Sequence, residues 1–262
     1  MPPELIDTHC HLDYPPLSDD IAAVLQRARA QGVRQCVTIG TSLERSRAGV
    51  LIAQRFPQVR AAVGVHPNDC AHMDDTTWAA LDELAAQPEV VAIGEVGLDQ
   101  YRKTVELARQ QEVFRGFLAL ARRRALPVLI HCRDAYEPLL KLLRERAATW
   151  EGIIHCASGP AEFIQGALAL GLHISFAGNV TFPNAKALQA LVPLVPDHRL
   201  LIETDAPFLA PQPVRGQPNE PAHVAHTAAF LAQLRGVSAA ALGACTSANA
   251  RRLFRLSDRE SV

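Results

Sequence analysis

Six side chains able to bind a divalent cation stand out: His9, His11, Glu95, His131, His155 and Asp205. Each sits at the end of an apolar run, in "LIDTHCHLD" from Leu5, "AIGEVGLD" from Ala92, "PVLIHCRDA" from Pro127, "GIIHC" from Gly152 and "RLLIETDA" from Arg199. Four imidazoles and two carboxylates are too many ligands for one closed tetrahedral zinc. They suit two divalent ions that share a carboxylate and keep positions open for water and substrate. Such a pair can bind a phosphate oxygen, activate a water and steady a leaving oxygen. Imidazoles favour zinc, nickel or manganese, and the carboxylates also accept magnesium.

Residues this far apart need elements that bring them together. Eight strand-length runs begin at Glu4, Arg34, Val59, Glu89, Pro127, Gly152, Leu172 and Arg199. They are continuous in Val, Ile and Leu, as strands of a parallel sheet covered on both faces are. Helix patterns separate them, with an Asp cap and Gly32 bounding the first and Pro57, Pro88 and Pro127 following others. The alternation predicts a (β/α)8 barrel forming one domain over residues 1–262. An open doubly wound sheet is the alternative, weakened because no GxGxxG follows the first strand. In a barrel the six side chains fall on strands 1, 4, 5, 6 and 8 and converge at the C-terminal mouth. Strand period puts His9 and His11 on one side and Cys10 on the other. By the same rule Cys132 and Cys156 face the helices, and Glu203 and Asp205 both face the mouth.

Composition narrows the function. The formal charge of −1 argues against a surface coated in basic residues. No apolar run approaches the roughly 20 residues of a membrane span, and the start lacks a secretory pattern. The six cysteines show no CxxC spacing and read as reduced thiols. The expectation is a cytoplasmic protein with no membrane or obligate protein partner.

The motifs carry a resemblance. "IDTHCHLD", "GVHP" from Gly64, "AIGEVGLD", "PVLIHCRDA", "HCASG" from His155, "ETDAPFLAP" from Glu203 and "NEPAHV" from Asn219 are similar to the successive motifs of the TatD family of metal-dependent deoxyribonucleases, in the amidohydrolase superfamily. The likeness runs in order along nearly the whole chain. It implies His9, His11, Glu95, His131, His155 and Asp205 as ligands of two or three divalent ions. Glu95 would be the bridging carboxylate, and Asp205 would bind metal and take the proton from the attacking water. Three positions depart from the family pattern: Ala157 and Gln100 stand where an aromatic is usual, and Pro218 where a basic residue is common. All three are expected near the substrate entrance.

Further residues are candidates for substrate contact. His66, Tyr101, Arg133, Glu203 and Asn219 are taken as substrate-binding, and Arg102, Lys103 and Arg215 as phosphate contacts. The run Arg122 to Arg124 ends the longest helix and complements its dipole. Trp78 and Trp150 read as packing. The expected activity is hydrolysis of DNA phosphodiester bonds near single-stranded or frayed ends, because a barrel mouth admits a splayed strand more easily than a duplex. The rival on the same scaffold is an ester or amide hydrolase, such as a deacylase of aminoacyl-tRNA. A barrel using metal only for stability has no need of open coordination positions.

Overall fold

The computed structural model describes residues 4–146 and 149–256. Eight strands form one sheet in sequence order, each parallel to the next: β1 (Leu5–Cys10), β2 (Val33–Ile39), β3 (Val59–Val63), β4 (Val90–Asp99), β5 (Val128–Arg133), β6 (Gly152–Ile154), β7 (His173–Phe176) and β8 (Leu200–Ile202). The sheet closes on itself past the end of β8. Asp205 N–H donates to the His9 carbonyl at 2.9 Å, and His11 N–H to the Ala206 carbonyl at 2.7 Å. Cys10 and Ala206 form a parallel bridge. The chain is thus the predicted barrel.

Helices α1 (Ile21–Ala30), α2 (Leu43–Arg55), α3 (Asp75–Ala85), α4 (Leu107–Arg124), α5 (Tyr136–Arg146) and α6 (Ala161–Ala169) connect successive strands. Local chemistry starts several of them: Asp20, Ser42 and Asp74 each accept a hydrogen bond from the backbone N–H three residues on. The fifth helix pattern in the sequence, "AYEPLLKLLRERAA" from Ala135, has its last two residues outside the described ones. After β7 the regular alternation lapses. The connection holds 3-10 turns and the four-residue α7 (Lys186–Gln189), because Pro183, Pro193 and Pro196 interrupt any longer helix. Both closing helices, α8 (Val224–Arg235) and α9 (Ala239–Phe254), follow β8. Among the described residues no single helix is long and apolar enough to cross a membrane.

Apolar side chains divide into two layers by strand parity. Leu5, Cys36, Ala61, Val63, Val128, Ile130, Ile154, Leu200 and Ile202 pack with the helices. Ile6, Val37, Ile39, Ala62, Ala92, Leu129, Ile153 and Leu201 fill the barrel, together with Leu253 and Phe254 of α9 at the strand starts. This plug closes the lower barrel and leaves only the upper mouth for chemistry. Trp78 packs on Phe117, with ring centroids 4.6 Å apart, and Trp150 is buried with its Nε1–H donating to the Leu143 carbonyl, so both serve packing.

Two irregularities set which side chains reach the mouth. Ile93 pairs with Val128 but Val96 with Ile130, so β4 has one extra residue at Gly94–Glu95. Asp7 pairs with Cys36 but Cys10 with Thr38, so β1 has one extra at Thr8–His9. Ala92 and Ile6 point into the barrel. Strict alternation from them would send Glu95, His9 and His11 outward. Each bulge flips the parity and turns these residues inward.

Candidate metal centre

Glu95 lies at the middle of the cluster and divides its two oxygens between two sets of imidazoles. Oε1 is 2.8 Å from His155 Nε2 and 2.9 Å from His131 Nδ1. Oε2 is 3.5 Å from His9 Nε2. Asp205 Oδ1 in turn lies 3.6 Å from His9 Nε2 and 3.4 Å from His11 Nε2. All six predicted ligands therefore come together at one mouth. Glu95 does not end its strand, as the apolar run suggested; β4 continues to Asp99. His155 and Asp205 stand just beyond β6 and β8.

The donor set fits divalent ions. His9 is fully buried and neither ring nitrogen has a hydrogen-bond partner, a costly arrangement unless a cation takes a lone pair. The other three rings are held by their remaining nitrogens. His131 Nε2 is 3.0 Å from Asp99 Oδ2, His155 Nδ1 is 3.3 Å from Glu203 Oε1, and His11 Nδ1 is 3.3 Å from the Ile39 carbonyl. Such acceptors fix the tautomer and turn the inner lone pair towards a cation.

The charges are strongly coupled. Burial alone would raise the Glu95 carboxyl, but His155, His131 and His9 outweigh it and hold it well below the usual range. Burial depresses His155, yet Glu95 and Glu203 outweigh it and hold the imidazole well above its ordinary value. Asp205 is likewise lowered, by His11, His9 and His155 against burial. The cluster thus holds protons where a cation would sit.

His66 stands three residues beyond β3 and opens a turn, and its Nδ1 accepts the Asn68 backbone N–H at 3.1 Å. Burial pushes its pKa down to about 4, against the pull of Glu95. A neutral ring accepting at Nδ1 carries its proton on Nε2, which lies 3.7 Å from Glu95 Oε1. The cluster opens into a cavity of about 820 Å³, lined among others by His66, Arg102, Arg133, Tyr14 and Phe208. Tyr101 lies on the rim, with the Arg133 guanidinium 3.6 Å from its ring centroid.

Other sequence candidates lie elsewhere. Glu203 is fully buried one layer below the mouth, two residues above the plug residue Leu201, and accepts the Cys156 N–H at 2.7 Å. It supports His155 and does not reach the cavity wall. Asn219 is buried too; its Nδ2 donates to the carbonyls of Thr204 and Phe208 and so pins the loop after β8. Arg215 stacks on Phe182 at 4.1 Å, away from the cavity, and Lys103 does not line it either. Ala157, Gln100 and Pro218 also fall outside the lining: Ala157 is buried in the core and Pro218 is exposed on the loop. Cys10 faces away from the cavity as expected, with its thiol against the Val37 carbonyl. Cys156 does not face the helices. Its φ of 43° breaks the strand period and brings the residue into the cavity lining.

Three groups escaped the sequence reading. Asp99, which also accepts the N–H groups of Tyr101 and Arg102, carried one signal: it is four residues from Glu95 on the same strand face. Asp7 is buried beneath His9 and accepts from Thr204 N–H at 2.9 Å and Thr204 Oγ1 at 2.5 Å. Burial pushes its pKa up to about 7 against those bonds. The third is the aromatic pair Tyr14 and Phe208. Gly97 is legible only in three dimensions: with φ +144°, a Cβ there would stand 2.0 Å from the His131 carbonyl oxygen, so only glycine lets β4 lie this close to β5.

An eight-stranded parallel barrel with histidine and carboxylate clusters at its C-terminal mouth defines a metal-dependent barrel hydrolase. Comparison with known proteins makes the class specific. Residues 6–255 match the family model described as TatD related DNase. The chain is 39% identical over 253 residues to the uncharacterized metal-dependent hydrolase YabD of Bacillus subtilis, covering 96% of this chain and 99% of that one. It is 38% identical over 259 residues to the 3'-5' ssDNA/RNA exonuclease TatD of Escherichia fergusonii, with 97% and 100% covered. Among solved structures it is similar to YjjV, a TatD homologue from Escherichia coli K12, with a TM-score of 0.90, 33% identity and coverage of 97% and 98%. The chain belongs to the TatD family.

Proposed function

We propose that this hydrolase is a single-strand deoxyribonuclease that removes nucleotides from a 3' end, and that residues 1–262 act as one catalytic domain. The observation that carries the reading is the division of Glu95 between two imidazole sets beneath a cavity that also holds Arg102 and Arg133. The name of the Escherichia fergusonii relative, a 3'-5' ssDNA/RNA exonuclease, supports the choice of substrate.

His9, His11, Asp205 and Glu95 Oε2 would hold one divalent ion; Glu95 Oε1, His131 and His155 would hold a second. His66, Asp99 and His131 also lie close together. There Asp99 already pairs with His131 Nε2 at 3.0 Å, and two ions are proposed. When bound, such ions polarise a phosphodiester and make water a nucleophile at neutral pH. Asp205 takes the proton of the attacking water. His66 donates its Nε2 proton to a phosphate oxygen. Arg133 and Arg102 position the flanking phosphates.

The test is a substrate panel with metal-loaded protein: single- and double-stranded DNA, RNA, aminoacyl-tRNA and simple esters. Stepwise shortening of single-stranded DNA is expected, abolished by chelation with the fold retained. Asp205→Asn should lower the rate by at least about 10²-fold while circular dichroism stays unchanged. Hydrolysis of esters alone would overturn the reading.

A further inference from the structure

Among the described residues, the exposed large apolar side chains include just two aromatics, Tyr101 and Phe208. Tyr101 is 60% exposed and follows β4; Phe208 is 48% exposed and follows β8. In a closed barrel of eight sequential strands, β4 and β8 are diametrically opposed. The two rings therefore stand on opposite rims, with the histidine and carboxylate cluster between them. An aromatic that served only packing would be covered, as Phe114, Phe117, Phe163 and Phe176 are.

Phe208 is tied to the chemistry and held in orientation. Its N–H donates to the Asp205 carbonyl at 2.9 Å, so the ring and the proposed base share one turn. The ring centroid lies 6.0 Å from that of His11 and 5.8 Å from that of Tyr14, at interplanar angles of 68° and 76°. Asn219 Nδ2 holds the Phe208 carbonyl at 2.6 Å. Tyr14 is backed by Arg45, whose guanidinium lies 3.6 Å from the ring centroid and 2.7 Å from Asp13 Oδ2. On the far rim Arg133 covers Tyr101 at the same 3.6 Å. Aromatic rings interleaved with arginines are what a single strand requires: faces for bases and cations for phosphates.

We propose that Phe208 is the stacking platform for the terminal nucleobase of a single strand whose scissile phosphodiester lies over the Glu95 cluster. The strand leaves across the mouth over Tyr101 and Arg133. This deepens the nuclease reading and rests on it. Stacking on Phe208 accepts any base, because every base has a π-face. It also requires the terminal base to leave its neighbour, which disfavours an intact duplex end.

The test uses a short oligonucleotide with 2-aminopurine as its 3'-terminal base and a phosphorothioate as its last linkage. Stacking on an aromatic ring quenches 2-aminopurine fluorescence. Metal-loaded wild type should quench the label at saturation. Phe208→Leu keeps an apolar side chain of similar bulk but has no π-face, and should lose most of the quench; Phe208→Trp should retain it. In parallel, wild type should favour a natural 3' terminus over one ending in tetrahydrofuran, which lacks a base, by about 10-fold in kcat/KM. In Phe208→Leu that ratio should fall to about one. Full quenching by a folded Phe208→Leu, or an oligonucleotide bound and cut by wild type without quenching, overturns the platform and leaves the nuclease reading intact. Absence of any binding or cleavage of oligonucleotides by wild type overturns both.

Discussion

Asp99 Oδ2 lies 3.0 Å from His131 Nε2, while Glu95 Oε1 lies 2.9 Å from Nδ1 of the same ring. The imidazole is gripped at both nitrogens by carboxylates, one within the proposed ligand set and one outside it. Burial opposes ionisation of Asp99, but His131, the Arg102 N–H and Asn68 outweigh it and keep the carboxyl below its ordinary range. Asp99→Asn keeps the shape and loses the charge that orients His131. Affinity for the second metal should fall about 10- to 100-fold with little change in the fold. Competitive chelator titration of wild type and variant measures this; equal affinities would confine Asp99 to shaping the Tyr101 loop.

Metal uptake should release protons. His155 and His131 are held above their ordinary values by carboxylates, and a ligand must give up its proton. Affinity should therefore rise with pH from about 5 to 8, and mixing metal with protein in weak buffer should acidify the solution. Linkage gives the metal-free protein a matching signature. A raised histidine contributes stability in full below its unfolded value of 6.5, and loses it as pH rises through the higher folded value. Metal should thus raise Tm more at pH 8 than at pH 6. A Tm increment independent of pH, with no acidification, would contradict proton-coupled binding.

Arg133 should carry one phosphate contact. Its guanidinium stacks on Tyr101 at the cavity edge. Each phosphate neutralised on a single strand adds about 0.7 to the salt slope of log affinity. Arg133→Ala should weaken oligonucleotide binding, flatten the slope by about that amount and leave metal content unchanged. Titrations at several salt concentrations decide it: identical slopes remove Arg133 from the phosphate set.

His173 opens β7, is 5% exposed, and has no hydrogen-bond partner at either ring nitrogen. Burial, helped by Arg199, pushes its pKa down to about 4. The folded ring stays neutral where the unfolded ring, at 6.5, takes a proton. Stability is therefore lost as pH falls from about 6.5 towards 4, by at most roughly 3 kcal/mol from this residue. His173→Phe should remove that part of the acid-side loss. Urea unfolding in chelator at pH 7.5 and pH 4.5 tests it, and an unchanged difference between the two pH values would acquit His173.

The sequence by itself determined the barrel and the cast of the cluster. Apolar strand runs repeating with helices leave few alternatives to a closed parallel sheet, and His9, His11, Glu95, His131, His155 and Asp205 stand at the ends of those runs. Side-chain direction beyond the regular strands was not legible. Strand period is a local rule, and one extra residue reverses it. The bulges at Thr8–His9 and Gly94–Glu95 depend on how β1 and β4 register against β2 and β5, which no single segment encodes. The left-handed backbone at Cys156 and Asp205 likewise turned one thiol into the cavity and lifted Asp205 clear of the layer that buries Glu203. Asp99 gained its role only because β4 runs past Glu95 beside β5, and Phe208 because barrel closure sets its turn against His11. These are properties of strand pairing and closure, settled by packing across the whole barrel and not by any stretch of chain alone.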